Sequence, residues 1–564
     1  MSNLFFSLLS AVALAVKADF VRKTRQTEYV QTQFLRSLLT AHQHTEFGQQ
    51  YQLGEIHTID AFRRRVPIQP YSGFAAYTER IANGERNLLV SDPVIHMNLS
   101  SGSTGNRKLI PVTRRSRQAL LGAYLVAAGF ACEAARERGV PLGKMLFVSS
   151  ARSQGRTAGG ISYNFISNSD VQLLGSLYRQ AVAYPYAAFQ IADTTARTYI
   201  CLLFALRQTQ LRVISATFPV LGIQLANFLA HHAESLIADL ATGTIAPWLA
   251  INPPIRQHLE RQWSAAPDRA AELQSHLRTT GTLTPAQAWP DLSFIITARG
   301  GSSDFYFERF PAFFGDTPIF GGIYSCAEAI FGMHRAFNTD SVALAIASGF
   351  YEFIPEDQWH LEQPQTLLPW EVKPGDRYRI LFTNYSGFYR YDVGDVVEVD
   401  GFMGSTPLII FRHRQGGVLS SSTEKTNEYH VIQVMQTLQQ TFQITLENFC
   451  ITLSDDRIPA HYLVNIELAP GSTLADPEQF LLAFDRTLKD VSVLYQVKRV
   501  DQVPSPRLRI LAPGSFAQLQ QRLFDRGVGA AQFKFPHLSE DRQFLAGLEI
   551  LQEVRLAEEY AAKS

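Results

Sequence analysis

Neither sign of charge prevails in this chain. Lys plus Arg number 51 and Asp plus Glu number 51, so the formal net charge is zero. A neutral surface has no long-range field to draw in nucleic acid. Zinc-finger spacings and long basic runs are missing as well, and nucleic acid is not expected as a partner. Cysteine is scarce: Cys132, Cys201, Cys326 and Cys450 lie far apart and form no CxxC. That excludes a disulfide framework and a structural zinc site, and it fits a reducing, cytoplasmic setting. Charged residues make up 18% of the chain, below the roughly 25% of an average soluble protein, which disfavours disorder. Internal repeats and low-complexity tracts are absent. The apolar stretch 4–16 (LFFSLLSAVALAV) has no Lys or Arg before it and no persuasive cleavage site after it. It is short for a bilayer crossing. We expect a buried N-terminal helix, with membrane contact through this stretch as the lesser alternative.

What the chain does contain is apolar and aromatic bulk, 46% and 11% of 564 residues. At roughly 100–200 residues per domain, this length predicts a large domain with a smaller one, or several modules. Helical and strand patterns alternate, which points to α/β layers. Helices are expected at 22–42, 116–138, 192–206 and 219–241, with a polar helical excursion at 257–284. Residues 88–99 look extended. Strands are expected at 145–150, 292–297, 318–323, 347–354, 378–384, 396–399 and 408–411. A Gly-, Ser- and Asn-rich stretch at 155–168 reads as a loop. The adjacent His231 and His232 face different sides of a helix and make a poor metal pair.

After Gln415-Gly-Gly the character changes. Helices at 428–441, 477–491 and 515–526 and strands at 445–453, 461–469, 497–499 and 507–511 make a domain of ordinary size. A glycine-rich tail at 527–534 carries a lone lysine, Lys534, on a loop expected to be mobile.

One stretch concentrates chemistry: Ser100-Ser-Gly-Ser-Thr-Gly-Asn-Arg-Lys108. Small residues let the backbone approach a ligand. Backbone N–H groups and hydroxyls there can face phosphate oxygens, with Lys108 adding a charge. It is not a Walker P-loop, because no Gly-Lys-Ser/Thr follows a Gly-x4 spacer. Two further stretches follow in order: Tyr324-Ser-Cys-Ala-Glu328 and Gly387-Phe-Tyr-Arg-Tyr-Asp-Val-Gly-Asp395. Gly300-Gly301 stands at the carboxyl end of an expected strand, where α/β sheets bind ligands.

Together these stretches resemble the GH3 family of acyl-adenylating enzymes, part of the firefly-luciferase-like adenylate formers. The likeness covers nearly the whole chain and extends to Gly349-Phe-Tyr-Glu-Phe-Ile-Pro355, Leu419-Ser-Ser-Ser-Thr-Glu-Lys-Thr-Asn-Glu428 and Gln532-Phe-Lys-Phe-Pro-His-Leu538. It implies a large multilayer α/β N-terminal domain over 1–415, holding nucleotide and acyl substrate, and a small mobile α+β C-terminal domain over 416–564. It implies an ATP-dependent, magnesium-requiring ligase that adenylates a small carboxylic acid and passes the acyl group to an amine, usually of an amino acid.

By the same resemblance, Ser100, Ser101, Gly102, Ser103, Thr104, Gly105 and Lys108 cradle the β and γ phosphates, and Glu328 binds magnesium. Asp395 accepts the ribose hydroxyls, Arg414 also reaches the ribose, Tyr324 packs by the adenine, and Gly300 and Gly301 approach its edge. Lys534 neutralises charge on the attacked α-phosphate. Arg390 reads as structural, holding its loop by paired hydrogen bonds, and Tyr389 and Tyr391 as core. One departure stands out: the family usually places Ser or Thr before the motif glutamate, where this chain has Ala327. Two alternatives stay open, an acyl-CoA ligase giving a thioester, and a nucleotide-binding protein with reduced turnover because of Ala327.

Overall fold

The computed structural model describes residues 2–99, 108–140, 142–148, 155–165, 178–414, 418–421, 424, 426–456, 459–500, 502–525 and 533–556. These residues fall into two compact units, one running to Phe411 and one beginning at Arg412.

The first unit is layered around three sheets. A parallel sheet orders Lys144–Val148, Leu211–Ala216, Phe294–Ile296 and Ile319–Phe320. Its strands are short and apolar because helices cover them; Thr194–Leu206 is buried over most of its length, as strands and helices of α/β layers require. A mixed sheet orders Leu109–Thr113, Val94–Leu99, Ser162–Phe165 and Gly155–Arg156. The third sheet has seven strands in the order Phe350–Pro355, Arg377–Thr383, Tyr391–Met403, Thr406–Arg414, Val342–Leu344, Ile330–His334 and Ile323–Ser325. Its core is aromatic. Phe47 stacks on Tyr389 with centroids 4.4 Å apart, and Phe74 meets both Phe388 and Tyr391 edge-on.

The N-terminal helix Ser2–Lys23 lays one face on helix Arg114–Glu137. Phe6, Ser10, Ala13 and Phe20 are buried, and Lys17 pairs with Glu133 at 2.5 Å. The opposite face leaves Leu8 and Val12 exposed. Helix Arg114–Glu137 is long and apolar enough to cross a membrane by length and composition, and its inner face is buried in this unit.

Several expected elements change when packing is taken into account. Residues 155–165 are a hairpin, not a loop: Thr157 N–H donates to the Ile161 carbonyl, and Gly159 N–H donates to Ala82, docking the turn. Helix 219–241 breaks at His232 into Pro219–His231 and Ala233–Thr242, with the His232 ring stacked on Trp248. The excursion at 257–284 is two helices, Pro253–Glu260 and Pro267–Thr280. The strand expected at 318–323 is two strands in different sheets, Ile319–Phe320 and Ile323–Ser325. The strand expected at 396–399 begins five residues earlier, at Tyr391, and so carries the end of the third motif.

In the second unit, a sheet orders Leu446–Leu453, Tyr462–Leu468, Arg507–Leu511 and Ile550–Arg555. The last of these strands was not expected. Helices Glu428–Phe442 and Pro477–Val491 pack on each other. Residues 497 and 498 belong to a helix, Val493–Lys498, which Arg499 caps, rather than to a strand. Ser492 caps it, and Tyr495 and Arg499 turn inward to Asp485 at 2.8 and 3.0 Å. A buried carboxylate needs those donors, and helical spacing delivers both.

Arg390 gathers a dense set of polar contacts in the first unit. It has a φ of 45°. Its guanidinium, 4% exposed, meets the carboxylate of Glu352, 1% exposed, at 3.0 Å. It also donates to the carbonyls of Arg63 and Val66 at 2.8 and 2.9 Å. The structural reading of Arg390 therefore holds. Removing one member of such a buried pair strands the other charge, which costs about 3 kcal/mol or more. We expect Arg390→Ala to lower unfolding stability by about that amount in urea titrations; a loss under about 1 kcal/mol would contradict the role assigned to this pair.

Candidate active site

The parallel sheet hands the chain to the seven-stranded sheet through Gly321-Gly322. Gly322 has a φ of 65°, and a Cβ at Gly321 would lie 2.1 Å from His334 Nε2. Only glycine fits that approach. His334 lies buried beneath the turn. Its Nδ1–H donates to the Thr339 carbonyl at 3.1 Å, and its backbone N–H donates to Gly322 at 2.9 Å. Burial pushes its imidazole down to about 3.

The hairpin that follows pairs Ile323–Ser325 with Ile330–His334, so Cys326, Ala327, Glu328 and Ala329 form its tip. Tyr324 is fixed by stacking on Phe331, centroids 4.7 Å apart, and by a tilted contact with Phe411 at 5.4 Å. Its hydroxyl donates to Asp395 Oδ2 at 2.8 Å. Asp395 sits on strand Tyr391–Met403 and is 1% exposed.

Four residues along the chain, Glu328 is held from two sides. Asn384 Nδ2 donates to its backbone carbonyl at 2.7 Å, and Tyr391 Oη reaches its Oε1 at 3.4 Å. Lys108 Nζ stands 3.8 Å from the same Oε1. The two segments 324–328 and 391–395 therefore bring Lys108, Glu328, Tyr324 and Asp395 into one region. Gly300 and Gly301, with φ of 87° and 59°, follow the strand Phe294–Ile296. A Cβ at Gly300 would come within 3.1 Å of the Phe411 carbonyl, so this backbone lies against the neighbour of Tyr324.

Ser100, Ser101, Gly102, Ser103, Thr104 and Gly105 lie outside the described residues; Lys108 is the described end of that motif. Arg414 ends strand Thr406–Arg414 and is exposed, in the second unit. Lys534 is also in the second unit, paired with Glu428 at 3.2 Å. Burial raises the Glu428 carboxyl, but Lys534 and His537 outweigh it and hold the group below the usual range. Among the described residues, no cluster of three or more His, Cys, Asp or Glu could hold a metal by itself. His231 and His232 meet ring to ring, and the His232 ring packs on Phe228.

Sequence reasoning missed three contributors: Tyr71, Tyr391 and Asn384. Tyr391 was assigned to the core, and it is buried, yet its hydroxyl faces Glu328. Asn384 gave no local signal. Tyr71 closes the proline-punctuated loop Val66-Pro-Ile-Gln-Pro-Tyr71; its ring lies under Lys108, with Nζ 5.0 Å from the centroid.

The scaffold has the fold seen in adenylate-forming ligases. The structure of GH3.15 acyl acid amido synthetase aligns over 95% of this chain and 96% of that one, with a TM-score of 0.83 and 22% identity. The 2-hydroxyisobutyryl-CoA ligase in its postadenylation state aligns over 92% and 90%, with a TM-score of 0.55 and 13% identity. Within that class the chain belongs to the GH3 family: the family's N-terminal domain matches residues 16–319, its central domain 342–414 and its C-terminal domain 429–543. Curated relatives include a probable indole-3-acetic acid-amido synthetase, GH3.1, of Oryza sativa subsp. japonica, 27% identical over 91% of this chain and 87% of that protein. Another is the indole-3-acetic acid-amido synthetase GH3.15 of Arabidopsis thaliana, 25% identical over 93% of each.

The His334 environment predicts an acid limit on the turn that feeds this site. A folded-state value of about 3 lies below the ordinary 6.5. Its contribution to stability is complete above pH 6.5 and is lost as pH falls toward 3, at about 1.4 kcal/mol per pH unit. His334→Asn keeps a donor for Thr339 but has no proton to take up. We expect a shallower fall of the urea midpoint between pH 7 and 5 in that variant; an unchanged slope would assign the effect to other groups.

Proposed function

We propose that the protein is an ATP-dependent ligase that adenylates a small carboxylic acid and transfers the acyl group to an amine, specifically that of an amino acid. The observation that carries this reading is the convergence of Lys108, Glu328, Tyr324 and Asp395 in one unit. The names of its relatives, acid-amido synthetases, support the amide product over a thioester.

In the first step a carboxylate oxygen attacks the α-phosphorus. An O–P bond forms, the bridging P–O bond to the β-phosphate breaks, and pyrophosphate leaves. Such chemistry needs positioning and charge neutralisation more than covalent help from the protein. Lys108, with the stretch from Ser100 to Gly105, is proposed to hold the leaving phosphates. Asp395 offers two carboxylate oxygens to the ribose hydroxyls, Tyr324 flanks the adenine, and Gly300 and Gly301 border it.

A magnesium ion suits Glu328. The site provides one carboxylate, whose protein contacts on Oε1 are long at 3.4 and 3.8 Å, and magnesium binds through one or two carboxylates with substrate phosphates completing its shell. When bound it would supply positive charge to the phosphate oxygens. Lys534 and Arg414 are assigned by resemblance, to the α-phosphate and the ribose. In the second step the amine nitrogen attacks the acyl carbon. The C–O bond to AMP breaks, and the nitrogen gives up a proton to leave a neutral amide. A cytoplasmic setting is proposed on the cysteines, all four of which are free thiols.

The test is ATP–pyrophosphate exchange across a panel of carboxylic acids, followed by mass analysis of products with amino acids and with coenzyme A. Exchange that depends on one acid, and an amide product, are expected. No exchange with any acid would overturn the ligase reading, and a thioester product would replace the amide one. Ala327 also makes a prediction. Restoring a hydroxyl beside Glu328 adds a donor of a kind worth about 10²–10³ in rate where it meets developing charge. Ala327→Ser is expected to speed exchange at least tenfold on that basis; an unchanged rate would show that another group already fills the role.

A further inference from the structure

Lys108 makes the longest of the lysine ion pairs found among the described residues. The ion pairs of Lys17, Lys23, Lys489 and Lys534 close to between 2.5 and 3.2 Å. Lys108 stays 3.8 Å from Glu328 although its side chain is 29% exposed and its partner's 5%. Glu328 is nearly shut off from water and attracts the part-buried lysine, yet the pair stays open.

Tyr71 is placed to keep it open. Its ring face lies 5.0 Å from Lys108 Nζ, within the range of a cation–π contact. Its hydroxyl is anchored at Thr78 Oγ1, 2.9 Å away, and at the backbone of Leu109, the residue next to Lys108. The loop that carries Tyr71 is itself fixed. Gln69 N–H donates to the Arg390 carbonyl at 3.2 Å, and Asp392 N–H donates to Gln69 at 2.9 Å. Arg390 holds the loop's first residue, Val66, through its guanidinium. The ring is therefore tied to the same strand that supplies Tyr391 and Asp395, and it cannot drift with the lysine.

Resting on the ligase reading above, we propose that Tyr71 is a positioning residue: its ring and hydroxyl hold Lys108 short of a closed ion pair, keeping the lysine available to phosphate and the Glu328 carboxylate open to a divalent cation. Without the aromatic face, Lys108 closes onto Glu328 and competes with the metal. An aromatic replacement preserves the arrangement, whereas an aliphatic one of similar bulk does not.

The experiment measures Mn2+ affinity by the loss of the free-ion EPR signal, in the presence of α,β-methylene-ATP, with thermal melting as the check on folding. Tyr71→Leu is expected to weaken Mn2+ binding roughly three- to tenfold, the scale of a cation–π contact, while Tyr71→Trp keeps wild-type affinity. With Lys108→Met in the background, Tyr71→Leu should have no further effect, since the competing ammonium is gone. Should Tyr71→Leu fail to fold, Tyr71→Met carries the same expectation. Unchanged Mn2+ affinity in a folded aliphatic variant, or an effect that persists without Lys108, overturns the inference and leaves the ligase reading standing. Failure of the wild-type protein to bind Mn2+ with the analogue overturns both.

Discussion

The geometry of the first unit depends on one buried charge pair. Arg390 sits in a strained left-handed conformation, with a φ of 45°, which a non-glycine residue tolerates only when its surroundings over-determine it. They do so here: Glu352 from the neighbouring part of the sheet, the carbonyls of Arg63 and Val66, and Thr383 Oγ1 at its own N–H all converge on it. The kink aims Phe388 and Tyr389 into the aromatic core and starts a strand at Tyr391 that delivers Asp395 four residues later. An uncompensated guanidinium at this depth would be costly, so the loop, the sheet and the strand must assemble together or not at all.

The candidate site gathers where two sheets meet. The parallel sheet ends at Phe320, two glycines carry the chain across, and the antiparallel sheet begins at Ile323. Ligands of open α/β sheets sit outside the carboxyl ends of strands, and here that rim is continuous with a hairpin whose tip carries Ala327 and Glu328. Rigid packing rather than loop chemistry sets the distances. Tyr324 is wedged by Phe331 and Phe411, and that wedge brings its hydroxyl to Asp395.

In the second unit the lysine of interest is already engaged. Lys534 pairs with Glu428, which opens helix Glu428–Phe442 next to its cap Asn427 and also accepts from the His537 backbone. Negative charge is favourable at a helix amino terminus, so Glu428 has reasons to remain ionised apart from its lysine. Any phosphate that recruits Lys534 must outcompete this carboxylate.

The alternation of helices and strands, the three motifs in their order and the family they resemble are all legible in the residues alone. Those signals are local: apolar periodicity, and glycine or proline where a chain must turn. The sequence also marked Arg390 as structural, because a guanidinium can hold a loop by paired hydrogen bonds. Other features were not legible. Residues 155–165 look like a loop until the Ala82 carbonyl is there to receive Gly159. Residues 497–499 read as a strand until Asp485 draws Tyr495 and Arg499 onto one helical face. The strand Ile550–Arg555 depends on pairing with Arg507–Leu511, far back in the chain. Tyr71 and Asn384 acquire meaning only beside Lys108 and Glu328, which lie 37 residues on from the first and 56 residues before the second. Tertiary structure alone decided these contacts, because a hydrogen bond or a ring face acts through space over a few ångströms and leaves no periodicity in the stretch that supplies it.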